Sequence, residues 1–167
     1  MNNEAAELFR RYSIVRLEKL SSFIDDCLGR LTPEQIWRRG GEEQNSIGTL
    51  TVHLCGNVHE RITLTLTGGH STRDRDGEFD PQARVSTEEL RRRLKNTIAE
   101  AVAALRQFPL ERLAEHAPKP GYDRSVLENI YAVVEHFALH TGQIMFATKQ
   151  LTNQGLGDLS RSSKPKA

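Results

Sequence analysis

The apolar pattern is clearest in the stretch VLENIYAVVEHFALHTGQIMFATK, residues 126–149. Val126, Ile130, Val133, Phe137 and Ile144 alternate spacings of four and three, the seam of one long amphipathic helix. The position that this seam skips is assigned to His140, with His136 one turn earlier on its flank. Three further segments share the helical period. Residues 5–28 carry Phe9, Leu17, Leu20, Ile24 and Cys27 on one face, and Gly29 stops them. Thr32 followed by Pro33 predicts a short capped turn ending near Trp37, and this lone tryptophan is expected to plug the open end of a core rather than wall a ligand pocket. Asn45 or Ser46 caps a second long helix that runs to about Leu66, with Ile47, Leu50, Leu54 and Val58 as its buried edge and Gly68-Gly69 as its stop. Ser86 and Glu89 form an S-x-x-E capping box for a third, whose Leu90, Leu94, Thr97, Ala101, Leu105 and Phe108 repeat at heptad spacing up to Pro109. A polar loop through Pro118, Pro120 and Gly121 leads to a second S-x-x-E, Ser125 and Glu128, which opens the fourth.

The segment from Gly68 to Val85 has no periodicity and is too long for a hairpin between antiparallel neighbours. Its reach at ~3.3 Å per residue is roughly 60 Å, about twice the ~30 Å length of a twenty-residue helix. It can therefore cross the whole molecule and leave the second and third helices pointing the same way. The expected fold is all-α: a four-helix bundle in up-down-down-up order with a long crossover between helices two and three. One domain is expected over residues 1–159, followed by a polar tail over 160–167.

The chain of 167 residues is long enough to bury a core of aliphatic side chains. A formal net charge of +1, with Lys and Arg dispersed among acids, gives no nucleic-acid footprint. No apolar run approaches the ~20 residues of a membrane-spanning helix. The start, MNNEAAELFRR, has acid where a signal peptide has its apolar core, so a cytoplasmic location is expected, with Cys27 and Cys55 as reduced thiols.

His136 and His140, four residues apart on one helix face, can reach a single ion from a rigid support. A single core histidine is ordinarily just hydrogen-bonded; a pair at this spacing points to a divalent metal. On the second helix His53 shares its surface with Leu50 and Asn57, while His59 lies on another face, and either histidine is a possible third ligand. His70 and His116 fall in loops and are expected to be solvated. Three imidazoles leave open positions for water or a thiolate, and zinc, nickel, manganese and iron all accept such ligands. The pattern is not H-E-x-x-H, because Phe137 and Ala138 follow His136, and Glu135 points about 100° away round the helix, so the motif supplies no carboxylate base. Gln143 is placed to orient a ligand or water, and Asn57 to support His53 or touch a substrate.

The phrases NSIGTLTVHLCGN (Asn45–Asn57), RDRDGEF (Arg73–Phe79) and VVEHFALHTGQI (Val133–Ile144), in this order, resemble the DinB/YfiT-like superfamily, over nearly the whole chain. The resemblance implies a four-helix bundle, commonly a homodimer, holding a divalent metal on one histidine of helix two and two of helix four. It selects His53 over His59 and adds His136 and His140. It also implies kinship with S-transferases that use a low-molecular-weight thiol. A metal-dependent thiol transferase or hydrolase is the leading expectation. The rival is a non-catalytic structural or stress-response homodimer whose histidines only stabilise the bundle. Residual apolar positions on the fourth helix, Leu127, Tyr131, Val134, Ala138 and Met145, agree with a homodimer.

Overall fold

The computed structural model describes residues 3–117 and 123–156, and these are all-helical, with a single antiparallel bridge between His116 and Ser125 in place of any strand. The loop through Pro118, Pro120 and Gly121 and the tail over 160–167 lie outside the described residues. The helices are α1 (Asn3–Gly29), α2 (Pro33–Ile36), α3 (Ile47–Val58), α4 (Thr65–Thr67), α5 (Thr87–Gln107) and α6 (Val126–Thr152). A π-helical turn, His59–Leu64, joins α3 to α4, and 3-10 turns occupy Gly77–Phe79 and Leu110–Ala114.

Local chemistry sets the boundaries. Thr32 and Gln35 form a full capping box at α2, as do Ser125 and Glu128 at α6. Ser46 accepts from the Thr49 amide at the start of α3. At α5 only half of the expected box forms. The Ser86 hydroxyl accepts from the Glu89 amide, but the Glu89 carboxylate turns to Arg92 and Arg93 instead of back to the cap. Gly68, at φ 77°, closes α4 in the left-handed conformation that a Cβ disfavours.

The core is built from the predicted stripes: Leu17, Leu20, Ile24 and Cys27 of α1, Ile47, Leu50, Leu54 and Val58 of α3, Leu90, Leu94 and Leu105 of α5, and Ile130, Val133, Phe137 and Ile144 of α6 are all buried. Trp37 is half-buried; its Nε1 donates to the Val85 carbonyl at 3.1 Å and its ring lies over Gly48, where a Cβ would come within 2.7 Å of ring carbons. One seam assignment is corrected. Thr141, not His140, fills the buried position between Phe137 and Ile144, and its hydroxyl donates to the Phe137 carbonyl at 2.7 Å. A straight α-helix drifts against a strict heptad, so the seam advances by four twice in succession, and His140 is left on the flank beside His136.

Named pairs tie the helices together. Arg10 donates to the Arg106 carbonyl, and Asp25 is gripped by Arg91, linking α1 to α5 at both ends. Cys27 meets Thr148 of α6. Cys55 meets Thr97, and His59 pairs with Glu100 at 3.3 Å, linking the α3 rod (α3, the π turn and α4 in succession) to α5. His53 and Arg61 meet His136 and Asn129 of α6. Among the described residues no helix is long and apolar enough to cross a membrane.

Candidate metal centre

The three histidines converge. One ring nitrogen from each of His53, His136 and His140 lies within 4.8 Å of the other two, an arrangement that can hold a metal ion. α6 places His136 and His140 one turn apart, with ring centroids 4.4 Å from each other. α3 supplies His53, whose Nε2 stands 2.9 Å from His136 Nε2. The other histidines stay away from this centre. His59 is exposed beside Glu100, His116 is exposed beside Asp123, and His70 is exposed in the crossover.

Two of the three rings are oriented from behind. The Gln143 side-chain oxygen lies 2.6 Å from His140 Nδ1; it accepts a hydrogen bond from that nitrogen's N–H, which leaves Nε2 with its lone pair free. Glu78 Oε2 lies 3.0 Å from His53 Nδ1, where as an acceptor it favours the same tautomer, with Arg73 Nη2 3.2 Å from the same nitrogen. Motif reading alone finds no carboxylate at the site, and Glu78 is the residue it misses. Glu78 arrives from the crossover, whose Gly77–Phe79 turn packs against α3, with the Phe79 ring 5.0 Å from the His53 ring. Arg73 anchors that turn. Its guanidinium grips both Glu78 oxygens, Nε to Oε1 at 2.5 Å and Nη2 to Oε2 at 2.7 Å, and its Nη1 reaches Glu60 Oε2 at 3.0 Å. The RDRDGEF segment is thus a strap that carries a half-buried Glu60–Arg73–Glu78–His53 chain.

Gly56 makes the close approach possible. A Cβ at this position would stand 2.0 Å from Glu78 Oε1 and 2.8 Å from Arg73 Nε. In an ordinary helix interior Gly→Ala stabilises by roughly 1 kcal/mol. Here Gly56→Ala is expected to dislodge the carboxylate instead and to weaken metal binding by about tenfold, as loss of a ligand's hydrogen-bond partner does. Competition with a chromophoric chelator measures the change, and unchanged affinity would remove Glu78 from the site.

A cleft of about 400 Å³ opens beside the cluster, lined by His53 and His136, by Asn57, and by charged residues of the strap and of α6. Asn57 is buried, and its side-chain oxygen has no hydrogen-bond partner among the described residues. The π turn leaves Arg61 facing α6, where its guanidinium donates to Asn129 Oδ1 at 3.2 and 3.3 Å. Such wide turns are frequent at functional sites.

Burial holds His53 below the usual imidazole range, although its hydrogen bond to the Glu78 carboxylate opposes the shift. Burial, with the neighbouring His140 and His53, lowers His136 to about 4. Neutral rings are the form that binds metal. Between the ordinary value of 6.5 and about 4, the folded protein holds fewer protons on His136 than the unfolded chain does. Its contribution to stability is therefore present above that window and is lost as pH falls through it. The Tm of metal-free protein is expected to decline from pH 6.5 to 4, and to decline less steeply in His136→Gln; equal slopes by scanning calorimetry would contradict this.

Fold and site together define an all-helical protein with a three-histidine cluster of metal-binding geometry. The chain belongs to the family described as protein of unknown function (DUF1572), which matches residues 4–164. No curated protein matches the sequence.

Proposed function

We propose that the protein is a divalent-metal-dependent enzyme of the DinB-like kind, a thiol S-transferase or hydrolase whose ion sits on His53, His136 and His140. The carrying observation is that the three-histidine cluster borders an accessible cleft, with His53 and His136 in the lining of both. A site whose histidines served stability alone would have no need of that access, so the cleft favours an enzyme over a structural module. When bound, a divalent ion lowers the pKa of a coordinated water or thiol and supplies a nucleophile. The chain's own residues prepare for it: Glu78 and Gln143 hold His53 and His140 with Nε2 presented inward, and Arg73 holds Glu78 in place. The donor set, imidazole nitrogen throughout, is compatible with zinc, nickel, manganese or iron.

The bundle reading rests on the order of the named pairs. Residue numbers rise on α1 as they fall on α5, at Arg10–Arg106 and Asp25–Arg91. They rise together on the α3 rod and α5, at Cys55–Thr97 and His59–Glu100, and run opposed between that rod and α6, at His53–His136 and Arg61–Asn129. This supports four long helices in up-down-down-up order over one domain. The motif phrases Asn45–Asn57, Arg73–Phe79 and Val133–Ile144 support the DinB/YfiT-like assignment. Exposed Leu8, Tyr12 and Val15 on α1 and Tyr131, Leu139 and Phe146 on α6 offer an apolar face for a homodimer, and light scattering at micromolar concentration tests it. Two free thiols suit a reducing compartment such as the cytosol.

Elemental analysis of purified protein, followed by a screen for conjugation of small thiols to electrophiles, tests the reading. About one ion per chain and metal-dependent conjugation or hydrolysis are expected. A metal-free protein that takes up no divalent ion in equilibrium dialysis would overturn it.

A further inference from the structure

The outward face of α6 is built like one half of an interface. At about 100° per residue, Glu135, Ala138, Leu139, Met145, Phe146 and Lys149 all lie within about 60° of Gly142 round the helix. Leu139 and Phe146 are 64% and 65% exposed, so packing within the chain does not account for them. Gly142, exposed between them, has nothing within 4 Å of where its Cβ would stand. Glycine weakens a helix interior, and no contact inside this chain needs the missing side chain; the room it leaves serves a surface from outside. Independently, charge is arranged about the same point. Glu135 and Lys149 stand seven residues before and after Gly142, both exposed, and neither forms an ion pair or a side-chain hydrogen bond among the described residues. A second α6 laid parallel would set Glu135 against Glu135 and Lys149 against Lys149. Laid antiparallel about Gly142, it sets each Glu135 against the Lys149 of the other copy, Leu139 against Phe146, and small Ala138 against large Met145. One patch then serves both copies, as a two-fold interface requires.

We infer that a second copy of this chain docks α6 against α6, antiparallel about a two-fold axis at Gly142, and that its Phe146 and Lys149 complete the rim of the metal cleft. Two residues of the stripe, Glu135 and Leu139, line that cleft together with His53 and His136, and they are the two that face Lys149 and Phe146 of the other copy. Each cleft is thereby walled in part by its neighbour, and access to the histidines depends on the protein being dimeric. This pairing rests on the homodimer proposed above; it adds the seam, its direction and the residues that reach the site.

Sedimentation at micromolar concentration is expected to show a dimer in the wild type. Glu135→Lys and Lys149→Glu each set like charges opposite one another at two symmetric contacts and are expected to weaken association about tenfold, and the double variant Glu135→Lys/Lys149→Glu to restore it. Gly142→Gln puts a better helix former into open space. It is expected to keep or increase helical circular dichroism and yet to weaken association at least about tenfold, because the two helices can no longer close on each other. A wild-type monomer overturns the homodimer and this pairing together. A dimer that either single reversal or Gly142→Gln leaves unchanged, or that the double variant fails to restore, leaves the homodimer standing and overturns the pairing. The rim is read separately, in zinc-loaded protein, by the rate at which a chromophoric chelator takes up the ion. Transfer is expected to be several-fold faster from Glu135→Lys than from the double variant, which carries the same change beside His136. Equal rates take the other copy out of the cleft.

Discussion

Replacing His136 with alanine is expected to strip stoichiometric metal from the protein while leaving its helices intact. His136 is the histidine of the cluster nearest to both others: its Nε2 is 2.9 Å from His53 Nε2, and its ring is one turn from that of His140. Its removal leaves two imidazoles on different helices, with no third histidine, cysteine or carboxylate grouped with them among the described residues. Loss of a mere hydrogen-bond partner of a ligand costs about 10–100-fold in affinity, so loss of the ligand itself should cost at least about a hundredfold. The fold does not depend on it. The α6 residues that pack the core, Ile130, Val133, Phe137 and Ile144, lie on the adjoining face and are at most 1% exposed. Alanine is also the best helix former. Helical circular dichroism should therefore be unchanged while elemental analysis finds little or no ion. His59→Ala, exposed beside Glu100, should keep full metal content. Full occupancy in both His53→Ala and His136→Ala would move the site elsewhere.

The three clustered histidines were legible in the sequence because helices are periodic. Spacing puts His136 and His140 on one face, and Leu50, His53 and Asn57 on another; the resemblance chose His53 over His59. The rest of the site was not legible for a physical reason. Glu78 is 25 residues from His53 in an aperiodic segment, and no local rule says where such a segment lands. Two signals pointed that way without naming the contact. Gly56 interrupts a helical pattern where a larger residue would be favoured, which usually marks a close approach. The alternating charges of RDRDGEF include the Arg73 and Glu78 that pair across the turn. The seam error at His140 has another origin: a heptad template forces the skipped position, whereas a real helix of 3.6 residues per turn drifts and buries Thr141. The π turn after Val58 leaves no compositional trace, and its consequence, Arg61 meeting Asn129, is visible only in three dimensions.

Arg73→Ala should be the most damaging substitution outside the histidines, and it should act on stability and on metal together. The guanidinium makes three charge-assisted hydrogen bonds to two carboxylates, and its side chain is 11% exposed against 9% for Glu78 and 19% for Glu60. Its removal leaves the Glu78 and Glu60 carboxylates poorly solvated and without the guanidinium that binds both. Breaking such a pair from one side is far more costly than never having formed it, by about 3 kcal/mol here, and in a chain of this size each kcal/mol lowers Tm by about 2–4 °C. A Tm roughly 6–12 °C lower is therefore expected. The strap should also release Glu78, freeing the His53 ring to turn, with a further 10–100-fold loss of metal affinity. Arg73→Lys should recover only part of both effects, because one ammonium cannot span Glu60 and both oxygens of Glu78 as the planar fork does. The double variant Arg73→Met/Glu78→Gln separates the two consequences. It removes the unpaired charge at His53, so Tm should recover in part, but it cannot restore the carboxylate behind His53, so metal affinity should stay low. If Arg73→Ala instead melts and binds metal like the wild type, the strap is a passive covering of α3 and the Glu60–Arg73–Glu78–His53 chain has no part in the site.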